Sequence, residues 1–149
     1  MLSLVPLYRL SHLLHTHGAP ILPRLIQTVI YLVYHAVVPC EVEIGPQVEF
    51  AHGGLGVILH PRCQIGRHVY IGAHVVVGGR SRHPALPRIG NNVYLGAGAK
   101  ILGDITVGDD VVVGANAVVT RSVPPRTIVA GVPARILRQD VNVQEYEEW

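Results

Sequence analysis

Two histidines in glycine-rich surroundings are the first candidates for chemistry. In FAHGGLGVILHP (50–61), His52 precedes a Gly-Gly pair and has apolar runs on either side, so its imidazole would stand at a turn and exchange a proton near neutral pH. In GGRSRHPALPRIG (78–90), His83 follows Arg82, a pair suited to clamping a polar or anionic acceptor. Gly78 or Gly79, at the head of that stretch, would offer a backbone N–H to a developing oxyanion, because no side chain blocks the approach. Arg121, Arg135 and Arg138 supply fixed positive charge of the kind a nucleotide phosphate calls for. Plainer readings stand beside these: His52 as a solvated turn residue and His83 as a surface-loop residue.

These side chains must be held by short strands. From Ile44 onward, apolar-Gly pairs occur at 44–45, 65–66, 71–72, 77–78, 89–90, 95–96, 107–108 and 113–114. Ile101 and Val119 keep the register without the glycine, and from 65 to 119 the six-residue grid skips only position 83. Six residues match neither a helix nor a lone hairpin, so the spacing predicts a repeat solenoid. Each hexad would give one strand and one corner, the apolar residue pointing to the axis and the glycine easing the bend. Three hexads close a triangular coil, stacking Ile89 over Val107 and Leu95 over Val113. The gap in the grid is the 78–90 stretch, a loop projecting from a rigid frame. Small residues such as Ala97 and Ala115 would keep the wall of a groove between coils low, although alanine is also ordinary solenoid packing.

Before the grid, residues 4–16 and 20–38 read as two helices broken by Gly18 and Pro20. Leu22, Leu25, Ile26, Val29, Ile30, Val33 and Val37 form one apolar stripe, expected to pack on the rest of the protein or a partner subunit, with peripheral membrane contact as the other use. The apolar run 25–38 is too short to span a bilayer. No basic n-region or small-residue cleavage site marks a signal peptide. Cys40 and Cys63, without CxxC spacing, read as reduced and structural, which points to the cytoplasm.

The 149 residues fit one domain in three stretches: helical over 1–38, β-helix over 39–138, and an acidic tail over 139–149. Residues 1–139 hold all 12 Lys and Arg and 6 of the 10 acids, so the body is basic and suits an anionic small ligand. Nucleic acid is not expected, because no aromatic-arginine patch or nucleic-acid motif appears.

With AHGGLG, RHP (82–84), GAGAKILGDITVG (96–108) and SVPPRTIVAGVPARIL (122–137), the chain resembles the hexapeptide-repeat acyltransferases. Within them it is most similar to serine acetyltransferase and its relatives in surface-polysaccharide gene clusters, over roughly residues 37–138. The resemblance implies a mainly β protein, a left-handed parallel β-helix with a short N-terminal helical segment, assembled as a homotrimer with active sites between subunits. It implies acetyl-CoA as co-substrate and no metal. His52 matches the catalytic base, and Arg82 and His83 match the loop pair that holds the acceptor, His83 being counted with the catalytic residues. Ala97, Ala115, Thr120, Arg121, Arg135 and Arg138 match positions lining the coenzyme A groove, with Gly79 beside them. Three features depart from the family: Val37 stands where an aspartate orients the catalytic histidine, Ala51 replaces the preceding acid, and the GGLG turn is one residue longer. A backbone carbonyl or Glu49 would then have to fix the His52 tautomer.

The implied activity is O-acetyl transfer to L-serine or a related small polar acceptor, the alternative being a sugar of a surface-polysaccharide precursor. A metal-dependent lyase of the carbonic anhydrase kind is a third reading, but it needs three converging imidazoles. His68 and His74, six residues apart, would fall on adjacent faces, and His60 before Pro61 reads as a corner.

Overall fold

The six-residue rhythm becomes three stacked ladders in the computed structural model, which describes residues 3–81 and 84–146. Two helices, α1 (Val5–Thr16) and α2 (Leu22–Tyr34), precede the strands. The first coils contain β1 (Glu43–Ile44), β2 (Glu49–Phe50), β3 (Ile58–Leu59), β4 (Gln64–Ile65), β5 (Tyr70–Ile71) and β6 (Val76–Gly78). After the projecting loop come β7 (Arg88–Ile89), β8 (Tyr94–Leu95), β9 (Lys100–Leu102), β10 (Thr106–Val107), β11 (Val112–Val113) and β12 (Val118–Val119). Closing the coil are β13 (Thr127–Ala130) and β14 (Arg135–Gln139).

Strands β1, β4, β7 and β10 form one parallel face, β3, β6, β9 and β12 a second. The third runs β2, β5, β8, β11 and β13, with β14 added antiparallel at its end. Together they make the mainly β, left-handed parallel solenoid with an N-terminal helical segment. Ile89 pairs with Val107 and Leu95 with Val113, as the hexad spacing requires.

Every apolar residue on the grid from Ile65 to Val119 is buried. A second column, two residues earlier in each hexad, is buried as well: Cys63, Val69, Val75, Val93, Ala99, Ile105, Val111, Ala117 and Val123. Two inward positions per hexad fill the triangular bore with apolar side chains. Cys63 is thus a core residue of the second column and Cys40 is buried too, both as free thiols.

The glycines of the grid serve a different purpose from the one the sequence suggests. Left-handed backbone falls three residues after the apolar position, on Gln47, His68, His74, Asn92, Asp110 and Asn116, with φ between 53° and 58°, where Asn, Asp and His are the residues that tolerate it. Gly72 and Gly96 instead lie beneath the next coil, where an added Cβ would come within 2.6 Å of the Ala97 and Ala115 amide nitrogens. Close stacking, not the bend, demands glycine there.

Helix α1 closes the N-terminal end of the solenoid. Its Tyr8 hydroxyl donates to the Val42 carbonyl at 2.6 Å, and Arg9 donates to the Ile44 carbonyl at 2.6 Å and also to that of Gly45. The side chains thereby cover a free strand edge that would otherwise invite pairing. Helix α2 ends at Tyr34 rather than at residue 38, because His35 turns left-handed (φ 52°) and Val37 runs extended beside Ile58. Its apolar stripe packs on this chain only in part. Ile30 is buried and Ile26 partly so, but Leu22, Leu25, Val29, Val33 and Val37 are exposed. Among the described residues, no helix is long and apolar enough to cross a membrane.

Candidate active site

The turn that carries His52 departs from the regular corner. Nine residues separate Phe50 from Leu59, against six between Ile71 and Val77 one coil later. The extra length forms a turn of 3-10 helix over Ala51–Gly54, in which His52 (φ 50°), Gly53 (φ 70°), Gly54 (φ 89°) and then Gly56 (φ 68°) are all left-handed. That run explains the GGLG sequence, since only glycine adopts such angles repeatedly without steric cost. Gly54 also lies under the Leu4 side chain and Gly56 against the His74 ring, leaving no space for a Cβ at either position. Backbone bonds fix the loop: Gly56 N–H to the His35 carbonyl at 3.0 Å, Val57 N–H to Gly54 at 3.0 Å, and His74 N–H to Leu55 at 2.8 Å. His52 itself is exposed, and among the described residues no hydrogen bond holds its ring, neither from Glu49 nor from a backbone carbonyl. Val37 offers no carboxylate and uses its backbone to pair with Leu59 and Val57.

The His52 turn joins β2 to β3, and that corner recurs up the solenoid at residues 72–75, 96–99, 114–117 and 130–133. Ala97 and Ala115 are exposed on this same edge, two and three coils beyond His52. Arg135, paired with Ala130 at the start of β14, stands at its far end, with Arg138 opposite Ile128. At about 4.8 Å per strand, the five steps from β2 to β14 separate the imidazole from Arg135 by roughly 24 Å along the edge.

Gly79, Thr120 and Arg121 lie on another edge, where the β3–β6–β9–β12 face turns toward the β1–β4–β7–β10 face. A Cβ on Gly79 would sit 3.3 Å from Leu86 of the projecting loop. Arg82 and His83 lie outside the described residues. One face, up to about 20 Å wide at six residues of 3.3 Å each, therefore separates the two groups of candidate residues within a chain. The outward residues of that face are Ile58, Val76, Lys100 and Val118, whereas the β1–β4–β7–β10 face presents Glu43, Gln64, Arg88 and Thr106.

Two further residues stand on the His52 edge, His74, which the sequence singled out only for a metal site, and Lys100, which it did not single out. His74 packs against the His52 turn. Lys100 directs its ammonium to the Gly98 carbonyl at 2.6 Å and the His74 carbonyl at 3.1 Å, a cation beside the alanine column. The available signal was its place in the strand, an outward lysine between buried Ala99 and Ile101. His68 and His74 do fall on adjacent corners.

Known proteins with the same features were found by sequence and by structure. The family described as bacterial transferase hexapeptide (six repeats) matches residues 87–121. A serine acetyltransferase of Staphylococcus xylosus is 38% identical over 133 residues, covering 88% of this chain and 61% of that protein. Soybean serine acetyltransferase complexed with serine superposes with a TM-score of 0.81 at 34% identity, covering 90% of this chain and 56% of the other. A serine acetyltransferase from Brucella abortus in complex with coenzyme A gives a TM-score of 0.83 at 30% identity, covering 91% and 54%. The chain thus spans little more than half the length of the relatives it matches.

Proposed function

The chain belongs to the serine acetyltransferase family of hexapeptide-repeat, left-handed β-helix acetyltransferases, and from that membership we propose that it is an acetyl-CoA-dependent O-acetyltransferase with His52 as general base. The observation that carries the reading is the shared edge: an exposed imidazole at one end, exposed small residues Ala97 and Ala115 along it, and Arg135 at the other. A long, thin co-substrate laid there would place its thioester at His52 and its phosphates toward Arg135 and Arg138. The acceptor hydroxyl gives its proton to the imidazole as its oxygen attacks the thioester carbonyl carbon. Collapse of the tetrahedral adduct breaks the carbon–sulfur bond, and the same proton returns to the departing sulfur. Proximity of two bound substrates supplies much of the acceleration, and no covalent enzyme intermediate is required.

Assembly completes the site in this proposal. The face between the two edges carries Ile58, Val76 and Val118, with Ile58 47% exposed in the single chain. Covering it with a second copy, as in a closed trimer, would set the loop of one subunit, with Gly79, Arg82 and His83, beside the His52 turn of the next. Thr120 and Arg121 then reach the co-substrate from that neighbouring edge.

L-Serine is the proposed acceptor, in line with the soybean enzyme, whose structure contains serine. A sugar hydroxyl is the second reading, favoured by Val37 and by the lack, among the described residues, of a group holding the His52 ring. Free thiols at Cys40 and Cys63 support a reducing, cytoplasmic setting. Peripheral membrane contact would use the exposed stripe of Leu22, Leu25, Val29 and Val33. The test is thiol release from acetyl-CoA with L-serine and, separately, with nucleotide sugars. Saturable turnover with serine alone is expected; turnover with sugars alone reassigns the acceptor, and full activity in His52→Ala removes the base.

A further inference from the structure

Away from the His52 edge, the fold gathers three side chains of metal-binding type. His15 sits in the last turn of α1, while Cys40 and Glu41 lie where the chain enters the first coil. The imidazole nitrogen, thiol sulfur and carboxylate oxygen all lie within 4.8 Å of one another. Cys40 and Glu41 are neighbours in sequence, but His15 is brought in from 25 residues away by the packing of α1 on the solenoid end.

The surroundings constrain the cluster further. A ring nitrogen of His12 lies 2.7 Å from the Cys40 carbonyl oxygen, which fixes the backbone at the thiol. Gln27 Nε2 donates to Glu41 Oε2 at 3.5 Å, the kind of outer contact that orients a ligating carboxylate. The Cys40 thiol lies within 4.8 Å of a Glu41 carboxylate oxygen. Cys40 is buried, yet its partners His15 and Glu41 are exposed, so an ion has both a soft donor and a path from solvent.

We propose that His15, Cys40 and Glu41 bind a divalent transition metal of the zinc class, in a site separate from the acetyl-transfer site. One thiolate, one imidazole and one carboxylate fit zinc in a four-coordinate site with water in the fourth place. Bonds of roughly 2.0–2.3 Å to a tetrahedral centre put ligand atoms about 3.3–3.8 Å apart, so the widest pair needs to close by about 1 Å, within reach of the exposed His15 and Glu41 side chains. Binding releases the Cys40 proton to solvent, and the ion ties the end of α1 to the entry of the first coil. The proposal departs from the sequence expectation of no metal, because the long gap between His15 and Cys40 hides the ligand set.

Cobalt(II) titration of the full chain under reducing, oxygen-free conditions tests the site. A thiolate-to-cobalt band in the near ultraviolet should saturate at one ion per chain and be bleached by added zinc. Cys40→Ser should abolish it, Cys63→Ser should leave it, and His15→Ala should weaken affinity by about tenfold or more. Should Cys40→Ser fail to fold, His15→Ala, whose exposed position leaves the core intact by circular dichroism, decides the matter. No thiolate band, a band lost in Cys63→Ser, a band surviving in Cys40→Ser, or unchanged affinity in His15→Ala each overturns the proposal.

Discussion

Placing a methyl group on Gly96 should prise two coils apart. The added Cβ would lie 2.6 Å from the Ala115 amide nitrogen and 2.8 Å from both the Gly114 carbonyl carbon and the Val113 oxygen, whereas ordinary contact begins at 3.4 Å. These neighbours are backbone atoms, so the coils must part locally by about 0.8 Å in a core that is already close-packed. The hydrogen bond from the Gly96 amide to Val113, now 2.8 Å, would stretch past its useful range. Overpacking of about 1–3 kcal/mol and the loss of one net hydrogen bond at about 1 kcal/mol sum to roughly 2–4 kcal/mol. For a chain of this size, that lowers the melting temperature by roughly 5–15 °C. Gly78 is the internal control: its added Cβ meets nothing within 4 Å and its φ is not left-handed, so Gly78→Ala should stay within about 0.5 kcal/mol of the parent. Urea and thermal unfolding of both variants, followed by circular dichroism, make the comparison. If Gly96→Ala unfolds within 1 kcal/mol of Gly78→Ala, the close-approach account of the grid glycines is wrong.

Three further outcomes follow from the same structure. Burial pushes the Cys63 thiol from 9.0 up to about 12, so it should resist iodoacetamide at pH 8 until the protein is unfolded, with peptide mass spectrometry as the readout. Because this pKa is raised in the folded state, Cys63 contributes no pH dependence below pH 9; stability should fall as pH rises from 9 toward 12, where the unfolded chain loses the proton first. Tyr8→Phe removes the hydroxyl that covers the Val42 carbonyl and should cost about 1–3 kcal/mol in urea unfolding, since it leaves a buried acceptor unpaired. Ile58→Asp puts a charge at the apolar end of the outer face, beside Val37 and Val76, and should shift the protein toward monomer in analytical ultracentrifugation, with loss of transferase activity. A variant that stays assembled and active would separate that face from the site.

The solenoid was legible because one buried column is marked by the glycine that follows it. The second column, Cys63 through Val123, carries no such mark. Val, Ala, Ile and Cys there obey the same period, but only the triangular cross-section shows that a hexad has two inward positions. The glycines were assigned the wrong physical task because a one-dimensional pattern reports spacing and not the approach of the next coil. Likewise, His52, Ala97 and Ala115 could be picked out singly, yet their common edge depends on how many residues each corner consumes, and the turn at 51–57 and the loop after Gly79 both break the count. Helical periodicity identified the stripe on α2, but periodicity cannot say what covers it. Leu25 and Val29 are exposed while Ile30, within the same stripe, is buried, since α1 and the first coil cover only one side of the helix.

The central claim is that an imidazole on the solenoid edge meets a thioester lying along that edge. Diffraction from crystals of the assembled protein soaked with coenzyme A tests it most directly. The cofactor should run past Ala97 and Ala115, its sulfur close enough to His52 for a proton to pass, about 3 Å directly or through one intervening atom. Sulfur density on another edge, or a His52 ring turned away and sealed from the cofactor, would contradict the account.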